Sequence, residues 1–174
     1  MIYKAPTLAG IDTAINKLQL AIDKKISWKD VDIFGRVYRN SSKNGKIAPE
    51  AYINGEYKDV LTNDKKTASI FFIDSEKEDT KEGIRFVNST KIVFMVDLKK
   101  AYPDYTHRCD MEARLEAIEL IKGVSRFEIT GIEKGIEEVF KGFDVENIKL
   151  NDLNPFHVFA IVGDLTYNAS SCFN

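Results

Sequence analysis

A chain of 174 residues is the size of one domain, and folding it removes about 70% of its unfolded surface from water, enough for a core without staples. It is 44% hydrophobic and 30% charged with only 10 glycines and 4 prolines, a composition that excludes disordered and fibrous classes. The 25 basic residues nearly cancel the 27 acidic ones, and no Lys/Arg cluster stands out, which disfavours tight nucleic-acid binding.

In chain order, Leu8, Ile11, Ile15, Leu18 and Ile22 recur in steps of three and four, predicting an amphipathic helix from about Thr7 to Lys25. The period then changes to two: Val31, Ile33 and Val37 alternate with Asp32, Arg36 and Tyr38 in a predicted strand. It ends in the turn-rich stretch Asn40-Ser41-Ser42-Lys43-Asn44-Gly45. Asn44-Gly45 and Asn54-Gly55 are both tight-turn signals, since Asn and Gly tolerate positive φ. Ser69 to Ile73 and Lys91 to Leu98 read as two strands, with a shorter one at Ile84 to Val87.

Between them, Asp74, Glu76, Glu78, Asp79 and Glu82 face only Lys77 and Lys81, so this stretch must be solvated and reads as a mobile polar loop. Asp110 is placed to cap a helix carrying Met111, Leu115, Ile118 and Ile121, with Gly123 as its stop. Arg126 to Ile129 reads as extended. Thr130 and Glu133 have the spacing of a capping box ahead of Ile132, Ile136, Val139 and Phe140, predicting a further helix that stops at Gly142. A polar connection from Asp144 to Pro155 leads to a last strand, Phe156 to Tyr167. In it, Phe159, Ile161 and Leu165 are suited to pack on helices, while Val158, Ala160 and Val162 face another sheet or subunit; the strand is expected to complete the main sheet. With no linker and no internal repeat, the expectation is one α+β domain over residues 1–174: a mixed or antiparallel sheet flanked by an N-terminal helix and two further helices.

The N-terminus lacks the pattern of a secretory signal, and no apolar run approaches the roughly 20 residues that span a bilayer, so no membrane association is expected. Cys109 and Cys172 read as free thiols in a cytoplasm. The three Asn-x-Ser/Thr matches, at Asn40, Asn88 and Asn168, read as chance in a chain without a secretory route.

Candidate chemistry is sparse. His107, Cys109, Asp110, His157 and Cys172 are the residues from which a metal site or a Cys-His nucleophile would have to be assembled, and paired metal-ligand spacings are missing. Thr106, His107 and Asp110 read as solvating the start of a helix, and Cys109 and Cys172 as plain buried or terminal thiols, with no metal and no cofactor assigned. Neither phosphate-binding glycine motif occurs, and Trp28, Phe34 and Tyr38 are read as core packing or an interface anchor in preference to a base-stacking platform. A non-enzyme is expected; a hydrolase would need His107, Cys109 and His157 to converge.

The order of elements resembles that of phage tail-completion or tail-terminator proteins, small neck subunits that form a ring where the tail tube meets the head. The stretches that carry the resemblance are Val37 to Asn40 with Gly45 to Glu50, Tyr57 to Asp64, Phe127 to Glu133 and Pro155 to Phe159, which look like those of uncharacterised prophage proteins from Bacteroidetes-type bacteria. The resemblance spans nearly the whole chain. It implies a structural virion protein, assembled in the bacterial cytoplasm as a homo-oligomeric ring of perhaps six copies, with tail-tube and neck or connector proteins as partners. In such a ring the acidic residues Asp74, Glu76, Glu78, Asp79 and Glu82 would project into the lumen and let DNA slide past without sticking. From a different class, an immunity-type inhibitor that masks a basic toxin fits the same composition.

Overall fold

A computed structural model describes residues 1–4, 8–41, 45–62, 65–81, 83–124, 126–146 and 153–168. The element order is α1 (Ile11–Lys25), β1 (Val31–Ser41), β2 (Ile47–Ile53), β3 (Glu56–Asp59), β4 (Ala68–Lys81), β5 (Arg85–Asp97), α2 (Leu98–Ala101), α3 (Asp110–Ile121), β6 (Phe127–Lys134), α4 (Ile136–Val139) and β7 (Phe156–Asn168). The fold is α+β. Its seven described strands form one mixed sheet in the order β3-β2-β1-β4-β5-β7-β6. Only β1 and β4 run parallel; the other neighbours are antiparallel.

β1 serves two partners in turn. Residues 31–36 pair with β4 and residues 37–41 pair with β2, and a register shift between Ile33 and Arg36 lets the strand change neighbours. Ile2 and Tyr3 lie beside Ile33 on the edge that β2 leaves open. Asn54 and Gly55 both take positive φ, 53° and 89°, in the tight β2–β3 turn; Asn44 lies outside the described residues.

One face of the sheet packs on α1 and α3. Ile11, Ile15, Leu18 and Ile22 lie against Ile33, Ile70, Phe94 and Phe159. The stripe therefore faces the core as its spacing predicts. The helix starts at Ile11, and the preceding Gly10 has φ 53°, a left-handed conformation that cannot lie inside a right-handed helix; Thr7 lies outside the described residues. The second face buries Val37, Phe71, Val93, Met95, Val158 and Ala160 beneath Ile136, Val139 and Phe140 of the α4 segment. The last strand does present two different faces, but Val158 and Ala160 are covered by the α4 segment of the same chain and not by another sheet or subunit, and Val162 is half-buried.

Several expectations need correction. First, the acidic stretch from Asp74 is no loop: β4 runs on to Lys81 and pairs with β5 back to Arg85, so the backbone of these charged residues is held in a ladder. Second, the stretches read as separate strands at Ile84–Val87 and Lys91–Leu98 belong to one strand, β5 (Arg85–Asp97), with Ile84 in the preceding turn and Leu98 opening α2; β5 carries the polar Asn88 and Thr90 fully buried in its middle.

Third, Thr130 caps no helix. It lies within β6, where its hydroxyl donates to the Val162 carbonyl at 3.3 Å and Glu133 pairs with Lys91 Nζ at 2.5 Å. Pairing with β7 wins over the capping pattern, and only one helical turn, Ile136–Val139, follows Gly135. Fourth, α3 buries Ala113, Arg114, Ala117, Leu120 and Ile121, leaving Met111 and Leu115 54% and 55% exposed. Ala113 and Ala117 are four residues apart on one face and let the helix approach closely, so the small side chains turn inward. Its N-cap is Cys109 rather than Asp110, which instead bonds Arg114 one turn on at 3.0 Å. Finally β7, expected to complete the sheet, lies inside it between β5 and β6.

Candidate functional site

The sequence singles out the acidic stretch, and the structure gives each described member its own surroundings. β4, β5 and β7 continue past the end of the β1–β4 pairing as a three-stranded arm, with Thr80 opposite Phe86 and Phe86 opposite Tyr167. From Asp74 to Lys81 the arm is about 25 Å long at the usual rise per strand residue. Between Asp74 and Glu78 the β4 register shifts. The buried Asn88 fills the gap: its amide donates to the Ser75 carbonyl at 2.9 Å and its carbonyl accepts from the Ser75 N–H at 3.0 Å. Thr90 Oγ1 donates to the same Asn88 oxygen at 3.1 Å. A side chain thus replaces the missing ladder partner, and an Asn88 so placed is closed to glycosylation.

Asp74 turns inward to Arg36, with Nη1 at 3.1 Å. The same guanidinium reaches Asp12 of α1 at 3.2 Å and donates to the Tyr38 hydroxyl at 3.1 Å, so one cation ties α1, β1 and the base of the arm together. Burial works against the Arg36 charge, but Asp12 and Asp74 outweigh it and raise its pKa. Burial raises the Asp12 pKa, and the pull of Arg36 offsets this only in part. Farther out, Glu78 accepts a hydrogen bond from the Tyr167 hydroxyl. Glu76 pairs with Arg39 at 2.5 Å and Asp79 with Lys77 at 3.2 Å, both at the surface. Glu82 lies outside the described residues. The arm is acidic, yet each of its four described carboxylates meets a donor, and their outward charge is smaller than the bare sequence implies.

A cleft of about 650 Å³ lies against the base of the arm, lined by Arg39, Ser75, Ser89, Lys91, Lys141 and Phe143 among others. Arg39 lies 5.8 Å from the centre of the Phe143 ring and passes so close to Gly142 that any Cβ there would collide with its guanidinium. The end of that flexible, half-exposed side chain can swing aside, so it is the φ of 92° at Gly142 that favours glycine. Lys91 is engaged by Glu133 and by the Glu138 carbonyl at 3.2 Å. The cleft presents paired charges in a shallow groove, an arrangement suited to contact with another surface.

No family model matches this chain, and no curated protein matches it significantly in sequence.

The residues considered for nucleophilic or metal chemistry separate into two groups. His157 is buried and meets the Arg114 guanidinium at 3.0 Å, outside the cluster formed by His107, Cys109 and Glu112. Cys172 lies outside the described residues. His107, by contrast, stands 2.8 Å from Glu112 through Nε2, and the Cys109 thiol lies beside both: the three donor atoms are all within 4.8 Å of one another. Burial pushes the thiol pKa up, and the neighbouring Glu112 and Asp110 push it further. The sequence reading missed Glu112. The signal was available, because the N-cap and the third residue of a helix share one end of the first turn, and His107-x-Cys109-x-x-Glu112 brings its three donors there.

A third polar cluster is structural. Glu116 on α3 accepts from Ser27 Oγ at 2.5 Å, Trp28 Nε1 at 3.0 Å and the Tyr102 hydroxyl at 2.7 Å, fastening α3 to the α1–β1 connection and the segment after α2.

Proposed function

We propose that the chain is a structural subunit that assembles head to tail into a closed ring, terminating a phage tail tube and joining it to the head. One observation carries the reading: the sheet ends in two unlike strands, β3 and β6, with no further strand beyond either among the described residues. All of β3 is exposed, and β6 presents Ile129 and Ile132 to solvent. Open edges are templates for pairing with another chain. Because the two edges differ, joining one to the other is a heterologous contact, and such contacts give rings when the rotation closes.

The arm supplies a feature that would lie on one side of such a ring. In this reading Glu76, Glu78 and Asp79, with Asp74 tied back to Arg36, border the lumen and keep DNA from adhering. Partners are tail-tube and neck or connector proteins, and the site of action is the virion. No helix among the described residues is long and apolar enough to cross a membrane.

Light scattering and negative-stain microscopy of the untagged chain, alone and with tube protein added, test the reading. A ring of about six copies is expected, and Ile129→Lys with Ile132→Lys should return it to monomer. A strict monomer that ignores tube subunits would sink the proposal, and a one-to-one complex with a basic toxin would favour an immunity-type inhibitor instead. Reversing the charges of Glu76, Glu78 and Asp79 should hinder genome passage and leave the ring assembled.

A further inference from the structure

We propose that His107, Cys109 and Glu112 bind one divalent cation of the zinc class, with the fourth position open to solvent. The donor set is one imidazole nitrogen, one sulfur and one carboxylate oxygen, a combination that suits tetrahedral Zn²⁺ and is wrong for the all-oxygen shells of Mg²⁺ or Ca²⁺. Around a tetrahedral ion with bonds of about 2.0–2.3 Å, donor atoms stand about 3.3–3.8 Å apart. Here the three lie within 4.8 Å, so closure needs a movement of no more than about an ångström. The 2.8 Å contact between His107 and Glu112 would open by about half an ångström as the metal replaces the shared proton.

The site is partly organised already. Cys109 is fixed as the N-cap of α3, Glu112 follows in the first turn, and the Tyr105 ring stands edge-on to the imidazole at 5.5 Å between centres. Cys109 is buried, whereas His107 and Glu112 reach solvent beside a cleft of about 400 Å³ lined by Tyr102, Tyr105, Thr106 and Arg108. An ion would enter from that side. The positive end of α3 opposes a cation, but a thiolate and a carboxylate together cancel the charge of the ion. Binding is an exchange: the sulfur–metal bond forms as the thiol proton leaves to solvent, the nitrogen–metal bond forms as the proton between His107 Nε2 and Glu112 leaves likewise while the ring keeps one proton on Nδ1, and no oxidation state changes.

Cobalt(II) titration of the untagged, chelator-stripped, reduced full chain tests this. One equivalent should give thiolate-to-cobalt charge transfer and tetrahedral ligand-field absorption, and one equivalent of Zn²⁺ should abolish both. Cys109→Ser should lose the charge-transfer band and Cys172→Ser should keep it. His107→Ala, at an exposed position, should weaken Zn²⁺ binding roughly a hundredfold or more, since even outer-shell partners are worth about ten- to a hundredfold. Absence of the band, its survival in Cys109→Ser, or Zn²⁺ affinity unchanged in His107→Ala would each overturn the assignment.

Discussion

Gly163→Ala tests how β6 is held on the sheet. Gly163 sits in β7 opposite Thr90 of β5 on one side and Ile129 of β6 on the other, where β6 makes its register shift. Its φ is ordinary, so the substitution probes space alone. A methyl group there would stand 2.5 Å from Phe127 Cζ, 2.8 Å from Phe127 Cε1 and 2.6 Å from the Glu128 carbonyl oxygen. The ring can rotate away. The carbonyl belongs to the backbone of the edge strand and moves only if β6 moves, by some 0.8 Å to regain an ordinary 3.4 Å contact. Overpacking of this kind costs about 1–3 kcal/mol. At this chain length that lowers Tm by about 3–10 °C, read by circular dichroism, with the amides of β6 losing hydrogen-exchange protection first. Phe127→Ala combined with Gly163→Ala relieves the ring and leaves the carbonyl clash, so the double variant should be less destabilised than the sum of the singles by about 1 kcal/mol. A Gly163→Ala protein with unchanged Tm, or complete rescue by Phe127→Ala, would refute the argument.

Asn88→Ala strips two hydrogen bonds from the Ser75 backbone inside the sheet and should cost about 2–3 kcal/mol in urea unfolding; a loss under about 0.5 kcal/mol would mean water or a relaxed ladder takes over. Glu116→Ala leaves the Trp28 and Tyr102 donors without their acceptor, so about 2 kcal/mol should be lost, with a red shift of the fluorescence of Trp28, the chain's single tryptophan. Tyr102 and Tyr167 are both raised above the ordinary tyrosine value of 10.0, by burial first and then by the carboxylates they donate to. The folded state therefore holds these protons more tightly than the unfolded chain, and the resulting stability is complete below pH 10 and drains away as pH climbs toward the folded values. Tyr167→Phe should flatten that alkaline decline, seen as a smaller difference in urea midpoint between about pH 9 and about pH 11; an identical slope would refute it.

The elements legible in the sequence are those whose neighbours impose no exception. α1 lies across a flat sheet face, so the spacing of Ile11, Ile15, Leu18 and Ile22 reports its buried side directly. The Asn54-Gly55 turn is set by backbone conformation alone and is equally readable. α3 misleads because close packing makes Ala113 and Ala117 the inward residues, while larger Met111 and Leu115 face water. Thr130 and Glu133 misled as a capping box because a β-strand can place the same two side chains on β7 and Lys91.

The acidic stretch is hard to read as a strand because ladder pairing leaves no mark on side-chain polarity. Its inner end depends on Arg36, thirty-eight positions earlier. The trio at the start of α3 needed only local spacing, yet His157 and Cys172 drew attention away from Glu112, which lies one turn along.

β7 occupies the interior of the sheet although it follows every other described strand in sequence. During synthesis, β5 therefore presents one apolar edge through roughly 60 residues of α2, α3, β6 and α4, about 3–12 s of elongation. β6 also waits for its partner over the last part of that interval. The nascent chain thus carries two hungry strand edges until residues 156–168 slot between them and close both in a single step. A pause in translation before residue 156 should leave a chain with α1 and β1–β5 assembled and a strong tendency to associate with its neighbours on the polysome.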